Sequence, residues 1–113
     1  MTRPVEWLEP WYPVRDATVR AGLECQLRLE ASRRHILFGE SVRLIARRSD
    51  TDDALFELSG ERVAEVHLTW RKSAEPDPRW PVTAVFSSLE EWVRESMTPL
   101  HEELSTFANR RGG

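Results

Sequence analysis

The sequence predicts an α+β domain: an N-terminal helix, an antiparallel β-meander of three or four strands, and one or more C-terminal helices packed on one sheet face. Two patterns predict this class. Between residues 41 and 70, apolar and polar residues alternate in three segments joined by short turns, which is typical of antiparallel strands. On either side, apolar residues recur at helical spacing. Since the chain has 113 residues, we expect one domain.

Residues 1–15 are predicted to form an extended arm. They contain three prolines, which prevent a regular helix, and an aromatic content that disordered tails lack. We expect Trp7 and Trp11 to pin this arm to the body of the domain, at residues 16–108. An arm that docks onto a partner is the alternative.

A helix is predicted from Ala17 to about Ser32. Asp16 is a favoured N-cap residue. Val19, Leu23 and Leu27 recur at intervals of one helical turn and predict the buried stripe of this helix.

Three strands follow, in the segments SVRLIARR, ALFEL and RVAEVHLTW. Alternation predicts a first sheet face that is almost wholly apolar, made of Val42, Leu44, Ala46, Ala54, Phe56, Leu58, Ala64, Val66, Leu68 and Trp70. We expect both helices to cover this face. The second face, which mixes charged and apolar residues, is then left open.

The segment RKSAEPDPRWP is predicted to be a loop, because its prolines forbid regular strand pairing. VTAVF, residues 82–86, then forms a short fourth strand at the edge of the sheet. A capping box of Ser87 and Glu90 opens the next helix, which Pro99 should end or kink before a short final helix. Residues 109–113 are expected to be a flexible tail.

The charge and hydropathy of the chain bear on its partners and location. A formal net charge of -3 and a pI of about 5.6 argue against non-specific binding to nucleic acid or anionic membranes, which requires a basic surface. No apolar run reaches the roughly 18 residues of a membrane span, and the N-terminus lacks the apolar core of a secretion signal. We therefore expect a cytoplasmic protein.

Motifs for metal, cofactor or thiol chemistry are incomplete. The HEE at His101 to Glu103 resembles part of a zinc-binding helix, but Ser105 stands where the second histidine is required. Cys25 is the single cysteine, so the chain can form neither an internal disulfide nor a thiolate cluster. No glycine-rich phosphate loop occurs. We expect no metal and no cofactor.

The open sheet face is the best candidate for a site. If the strands pair in order, Arg43 and Arg47 can meet Glu57, Glu65 and His67 across neighbouring strands. A histidine beside a carboxylate suits acid–base catalysis, so His67 with Glu65 or Glu57 is the candidate catalytic group. The alternatives are a partner-binding face and a lattice of surface ion pairs.

The tryptophans divide into core and surface candidates. Trp70 and Trp92 are in phase with core stripes, which predicts burial for both. Trp80 lies in the proline-rich loop beside Arg79, and both residue types are enriched at the energetic centres of protein interfaces. We therefore assign Trp80 and Arg79 to a binding site; the alternative is that Trp80 closes the end of the core.

The segments DDALFELSG, VHLTW, DPRWP and SLEEW, with the late HEE, together resemble a family of small bacterial proteins. The resemblance spans roughly residues 7–103, and the combination of VHLTW with a downstream DPRWP is its most specific part. That family has no established activity, so the resemblance implies no catalytic residues.

These observations favour a small protein-binding module, of the adaptor, regulator or immunity-inhibitor kind, that uses the open face and the Trp80 loop. Its partner would be another protein or a second copy in a homodimer. A small enzyme that uses His67 and Glu65 is the alternative. Nucleic acid and membrane are not expected as partners.

Overall fold

The structure is a computed structural model that describes the backbone of residues 5–112 and the side chains of residues 5–106. It contains a five-stranded antiparallel sheet whose strands follow chain order. The strands are β1 (Trp11–Pro13), β2 (Arg43–Arg48), β3 (Asp53–Glu57), β4 (Val63–His67) and β5 (Val82–Phe86); the helices are α1 (Ala17–Glu30), α2 (Leu89–Trp92) and α3 (Thr98–Gly112). The predicted α+β class is confirmed, with five strands in place of three or four.

The additional strand, β1, comes from the N-terminal arm. It pairs with β2, so that Trp11 lies opposite Arg48. The Trp11 side chain is buried and packs edge-on against Trp92, with 5.0 Å between ring centroids. This contact anchors the arm on the sheet, while its first part, residues 1–4, lies outside the described residues.

An irregularity in β2 changes the faces that simple alternation predicts. Leu44 lies opposite Phe56, whereas Ala46, two positions later, lies opposite the adjacent residue Leu55. The extra residue in β2 forms a β-bulge, which shifts the rest of the strand by one position. Ala46 therefore lies on the second face instead of the first, and Arg47 lies on the first face instead of the second.

The helices lie on opposite faces of the sheet, so the expectation that both cover the first face is wrong. α1 covers the first face, in a core of Leu23, Leu27, Leu37, Val42, Leu44, Ala54, Phe56, Leu58, Ala64, Val66 and Leu68. α2 and the turn after it cover the second face, in a core of Trp11, Ala46, Leu55, Val63, Trp92 and Met97. The second face is covered because Leu55 and Val63 must also be removed from water.

The first helix begins as predicted. The Asp16 carboxylate accepts hydrogen bonds from the backbone N–H groups of Thr18 and Val19, at 2.9 and 3.0 Å, which caps the helix. Leu23 and Leu27 are buried against the sheet, but Val19 is exposed. The buried stripe is therefore shorter than its sequence pattern predicts.

The capping box before α2 lies one residue later than predicted. Ser88 is the N-cap, and its hydroxyl accepts the backbone N–H of Glu91 at 3.1 Å. The Glu91 carboxylate reaches back to accept the N–H of Ser87 at 3.2 Å.

The C-terminal helical segment does not end at Pro99. A π turn over Val93–Met97, in which the N–H of Thr98 donates to the carbonyl of Val93, joins α2 to α3. Pro99 follows this wider turn and lies in the first turn of α3, where its missing N–H is tolerated. α3 then continues to Gly112, through the segment expected to be a flexible tail, and residue 113 lies outside the described residues.

Candidate functional site

The predicted catalytic histidine, His67, contacts an aspartate that the prediction did not include. His67 Nδ1 lies 3.3 Å from Oδ1 of Asp53, its partner on β3. Asp53 Oδ2 lies 3.7 Å from a guanidinium nitrogen of Arg48 and accepts a hydrogen bond from the Thr51 hydroxyl. The result is a chain of polar contacts at the rim of the second face.

Glu65, the expected partner of His67, is engaged elsewhere. Its Oε1 accepts hydrogen bonds from the indole Nε1 of Trp92 at 2.8 Å and from the Ser96 hydroxyl at 2.5 Å. These bonds tie β4 to the helical segment that covers it. Glu57 is exposed. His67 and Glu65 thus have separate partners, and neither is arranged to act on a shared proton.

The two arginines assigned to the site, Arg43 and Arg47, lie on opposite faces because of the bulge in β2. Arg43 is exposed and lies opposite Glu57. The Arg47 guanidinium lies 5.9 Å from the ring centroid of Trp70, a cation–π contact on the first face. The structure therefore does not bring the two arginines together.

Trp70 itself is exposed, which contradicts the predicted burial. β4 ends at His67, and Trp70 adopts a positive φ of 62° that turns the chain away from the sheet. Trp92, in contrast, is fully buried, as its phase in the helix predicts.

A buried carboxylate that sequence reasoning missed holds the chain at Trp70. Glu30, the last residue of α1, is fully buried and accepts the backbone N–H groups of Thr69 and Trp70 at 2.8 and 2.9 Å. The Thr69 hydroxyl and the Gln26 amide donate to the same carboxylate. These donors satisfy the buried charge. In the sequence, Glu30 resembles any polar residue on the outer side of α1.

A second buried polar residue, His35, links the connection after α1 to the start of β5. The Leu37 N–H donates to His35 Nδ1 at 3.0 Å, so Nε2 carries the ring proton and donates to the Pro81 carbonyl at 2.9 Å. The Thr83 hydroxyl donates to the same carbonyl at 2.9 Å. No local pattern could signal this role, because the partner is a backbone carbonyl 46 positions away.

Next to this link, a shallow depression of about 360 Å³ opens on the surface, lined by His35, Ile36, Pro78, Arg79, Pro81, Val82 and Thr83. Two apolar side chains of its lining are strongly exposed, 65% of Ile36 and 50% of Val82, and Trp80, which lies between the lining residues Arg79 and Pro81 in the chain, is 41% exposed. We refer to Ile36, Trp80 and Val82 as the β5 patch. Trp80 therefore lies at the surface and does not close the core.

The loop that carries Trp80 is fixed by its own polar contacts. The Arg79 guanidinium donates to both oxygens of Asp77, at 2.7 to 3.1 Å, and the Asp77 carboxylate also accepts the Arg79 N–H. This hydrogen bonding lowers the pKa of Asp77 to about 2 and raises the pKa of Arg79. The charge of Arg79, which lines the depression, is therefore paired with that of Asp77.

The described residues hold no group of three or more histidine, cysteine, aspartate or glutamate side chains that could bind a metal ion. No helix within the described part of the chain is long and apolar enough to cross a bilayer.

No protein-family model, curated protein or solved structure matches this chain. The family resemblance stays a prediction.

Proposed function

We propose that this protein is a protein-binding module whose binding surface is the β5 patch. The observation that carries the proposal is that two exposed apolar side chains, Ile36 and Val82, line one shallow depression, with the exposed Trp80 next to its lining residues in the chain. Contiguous exposed apolar surface rimmed by polar groups is typical of protein interaction sites. An adaptor, regulator or inhibitor would act through such a surface.

The contacts around the patch support a preformed site. His35 holds the Pro81 carbonyl, the Asp77–Arg79 pair holds the turn before Trp80, and the N–H of Glu75 donates to the Glu30 carbonyl at 2.9 Å. Because these segments are fixed before binding, less conformational entropy is lost when a partner docks.

The proposed site keeps part of the predicted one. Trp80 and Arg79 belong to it, while Arg43, Arg47 and His67 do not. The acid–base alternative now depends on His67 with Asp53, and neither residue lines the depression.

The proposal is tested with a photo-crosslinking amino acid placed at Trp80, in the native host. Leu104 on α3 is the matched control position, because its exposure, 40%, is similar to the 41% of Trp80. We expect a discrete crosslinked protein product from position 80 alone. This product should be lost when Ile36→Asp is added to the variant that carries the crosslinker at position 80. Circular dichroism must show that this double variant is folded. Equal products from positions 80 and 104, or none from position 80, would overturn the proposal.

A further inference from the structure

We propose that the open edge of β5 binds the β5 strand of a second copy of this chain, so that two sheets join into one. The inference rests on the proposed function and names its partner. Within the described residues, β4 is the only strand that pairs with β5, so the outer edge of β5 is free.

The two edge strands of the sheet are protected to different degrees. β1 has three residues, ends in Pro13 and follows Pro10, and short strands with prolines are poor templates for pairing. β5 has five residues, VTAVF, with no charge and no proline. Natural sheets rarely leave such an edge unprotected unless another strand covers it.

The alternation of the ladder shows which backbone groups of β5 are free. Leu68 donates its N–H to the Asp52 carbonyl, so Leu68 and every second residue before it direct their backbone groups toward β3. Glu65 lies between such residues and directs its backbone groups toward β5, where it lies opposite Ala84. Ala84 therefore faces β4.

Thr83 and Val85, on either side of Ala84, consequently direct their N–H and C=O groups to the open edge. The next backbone groups that point to this edge, at Pro81 and Ser87, already have hydrogen-bond partners. The Pro81 carbonyl and the Ser87 N–H both hydrogen-bond to side chains of the same chain. The free segment is thus short and has defined ends.

This segment is complementary to itself about a two-fold axis at Ala84. Antiparallel pairing there places Thr83 opposite Val85 of the second copy, so that the free backbone groups meet each other. On the second face of the sheet, Val82 then lies opposite Phe86 of the second copy. No charged side chains meet, because the strand has none. The two copies of Ala84 form a non-hydrogen-bonded pair, in which side chains are closest and the small alanine fits.

Sedimentation equilibrium of the full chain over a wide concentration range tests this pairing. Val85→Pro removes an edge N–H that the β4 ladder does not use, and Val85→Thr is its control because it keeps that N–H. Val82→Lys introduces a charge beside the axis, and Leu104→Lys is its control because Leu104 is also exposed but lies on α3.

We expect the native chain, Val85→Thr and Leu104→Lys to dimerise as concentration rises, and Val85→Pro and Val82→Lys to stay monomeric. If Val85→Pro does not fold, the comparison of Val82→Lys with Leu104→Lys tests the pairing on its own. A dimer that persists in folded Val85→Pro and Val82→Lys would overturn the inference. A native chain that is monomeric at all concentrations would also overturn the inference. In that case, a crosslink from position 80 to a different protein would still support the proposed function.

Discussion

The carboxylate of Glu65 on β4 accepts a hydrogen bond from the indole Nε1 of Trp92 at 2.8 Å and so joins the sheet to the helical segment that covers its second face. Trp7 and Trp11 pack against the same indole, with 6.0 and 5.0 Å between ring centroids. Glu65 therefore acts as a structural acceptor beside an aromatic cluster. The geometry of these contacts does not support a role for Glu65 as a catalytic base.

Replacement of Glu65 by alanine should lower the free energy of unfolding by about 1–3 kcal/mol, because the Trp92 N–H and the Ser96 hydroxyl lose their acceptor. Glu65→Gln keeps an acceptor and should lower it less. Urea unfolding followed by tryptophan fluorescence measures both. Glu57→Ala, at an exposed position on the same face, should change stability by less than about 0.5 kcal/mol, and an equal loss there would contradict the assignment.

Glu30→Ala should be among the most destabilising single substitutions, at about 2–5 kcal/mol, because the N–H groups of Thr69 and Trp70 are left without their acceptor. Chemical denaturation gives the loss, and the amide resonances of Thr69 and Trp70 should move most in NMR spectra. Glu102→Ala on the exposed side of α3 serves as the control. A loss no larger than in that control would show that Glu30 does not hold this segment.

The Asp77 carboxyl should titrate near pH 2, since hydrogen bonds from Arg79 lower its pKa from 3.8 to about 2. A lowered pKa means that the pair stabilises the folded chain above pH 3.8 and that this contribution disappears as the pH falls through about 2. Carbon-13 NMR titration of the carboxyl carbon measures the pKa directly. Arg79→Ala should return it toward 3.8, Arg94→Ala should not, and an Asp77 that titrates normally in the native chain would contradict the geometry.

Nitrogen-15 NMR should find the neutral His35 ring protonated at Nε2 and bare at Nδ1, because Nδ1 accepts the Leu37 N–H. His35→Ala should then speed hydrogen exchange of the Val82 amide, since the Pro81 carbonyl loses a donor. Amides of β1 and β2 are the internal control and should not change. The opposite tautomer would show that the Pro81 contact is wrongly assigned.

Local patterns predicted much of the fold. The alternation of apolar and polar residues from Asp53 to Leu68 predicts β3 and β4, and the Asp16 cap predicts the start of α1. Each of these patterns depends only on residues that are close together in the sequence. The bulge in β2 inserts one residue with no composition signal, and it alone reverses the faces of Ala46 and Arg47.

The site was harder to predict, because its contacts join distant parts of the chain. Glu30 meets Thr69, and His35 meets Pro81, through backbone groups that carry no residue-specific signal. The apolar residues Leu55 and Val63 on the second face did indicate that this face needs a cover, yet they do not specify which helix supplies it. Trp80 is exposed, because a tryptophan among prolines has no helical or strand phase to bury it, and its role in binding stays a prediction.

The most direct test of the pairing of β5 with itself is oxidation of an Ala84→Cys variant. In this variant Cys25, an exposed free thiol, is replaced by serine. At the two-fold axis the Cα atoms of the two copies of residue 84 should lie about 4.5 Å apart, within the range of a disulfide. Val82→Cys in the same background is the control, because its two copies would lie about 13 Å apart along the strands. Mild oxidation should give disulfide-linked dimers of Ala84→Cys and few of Val82→Cys. Efficient linkage of Val82→Cys, or none of Ala84→Cys, would contradict the pairing of β5 with itself.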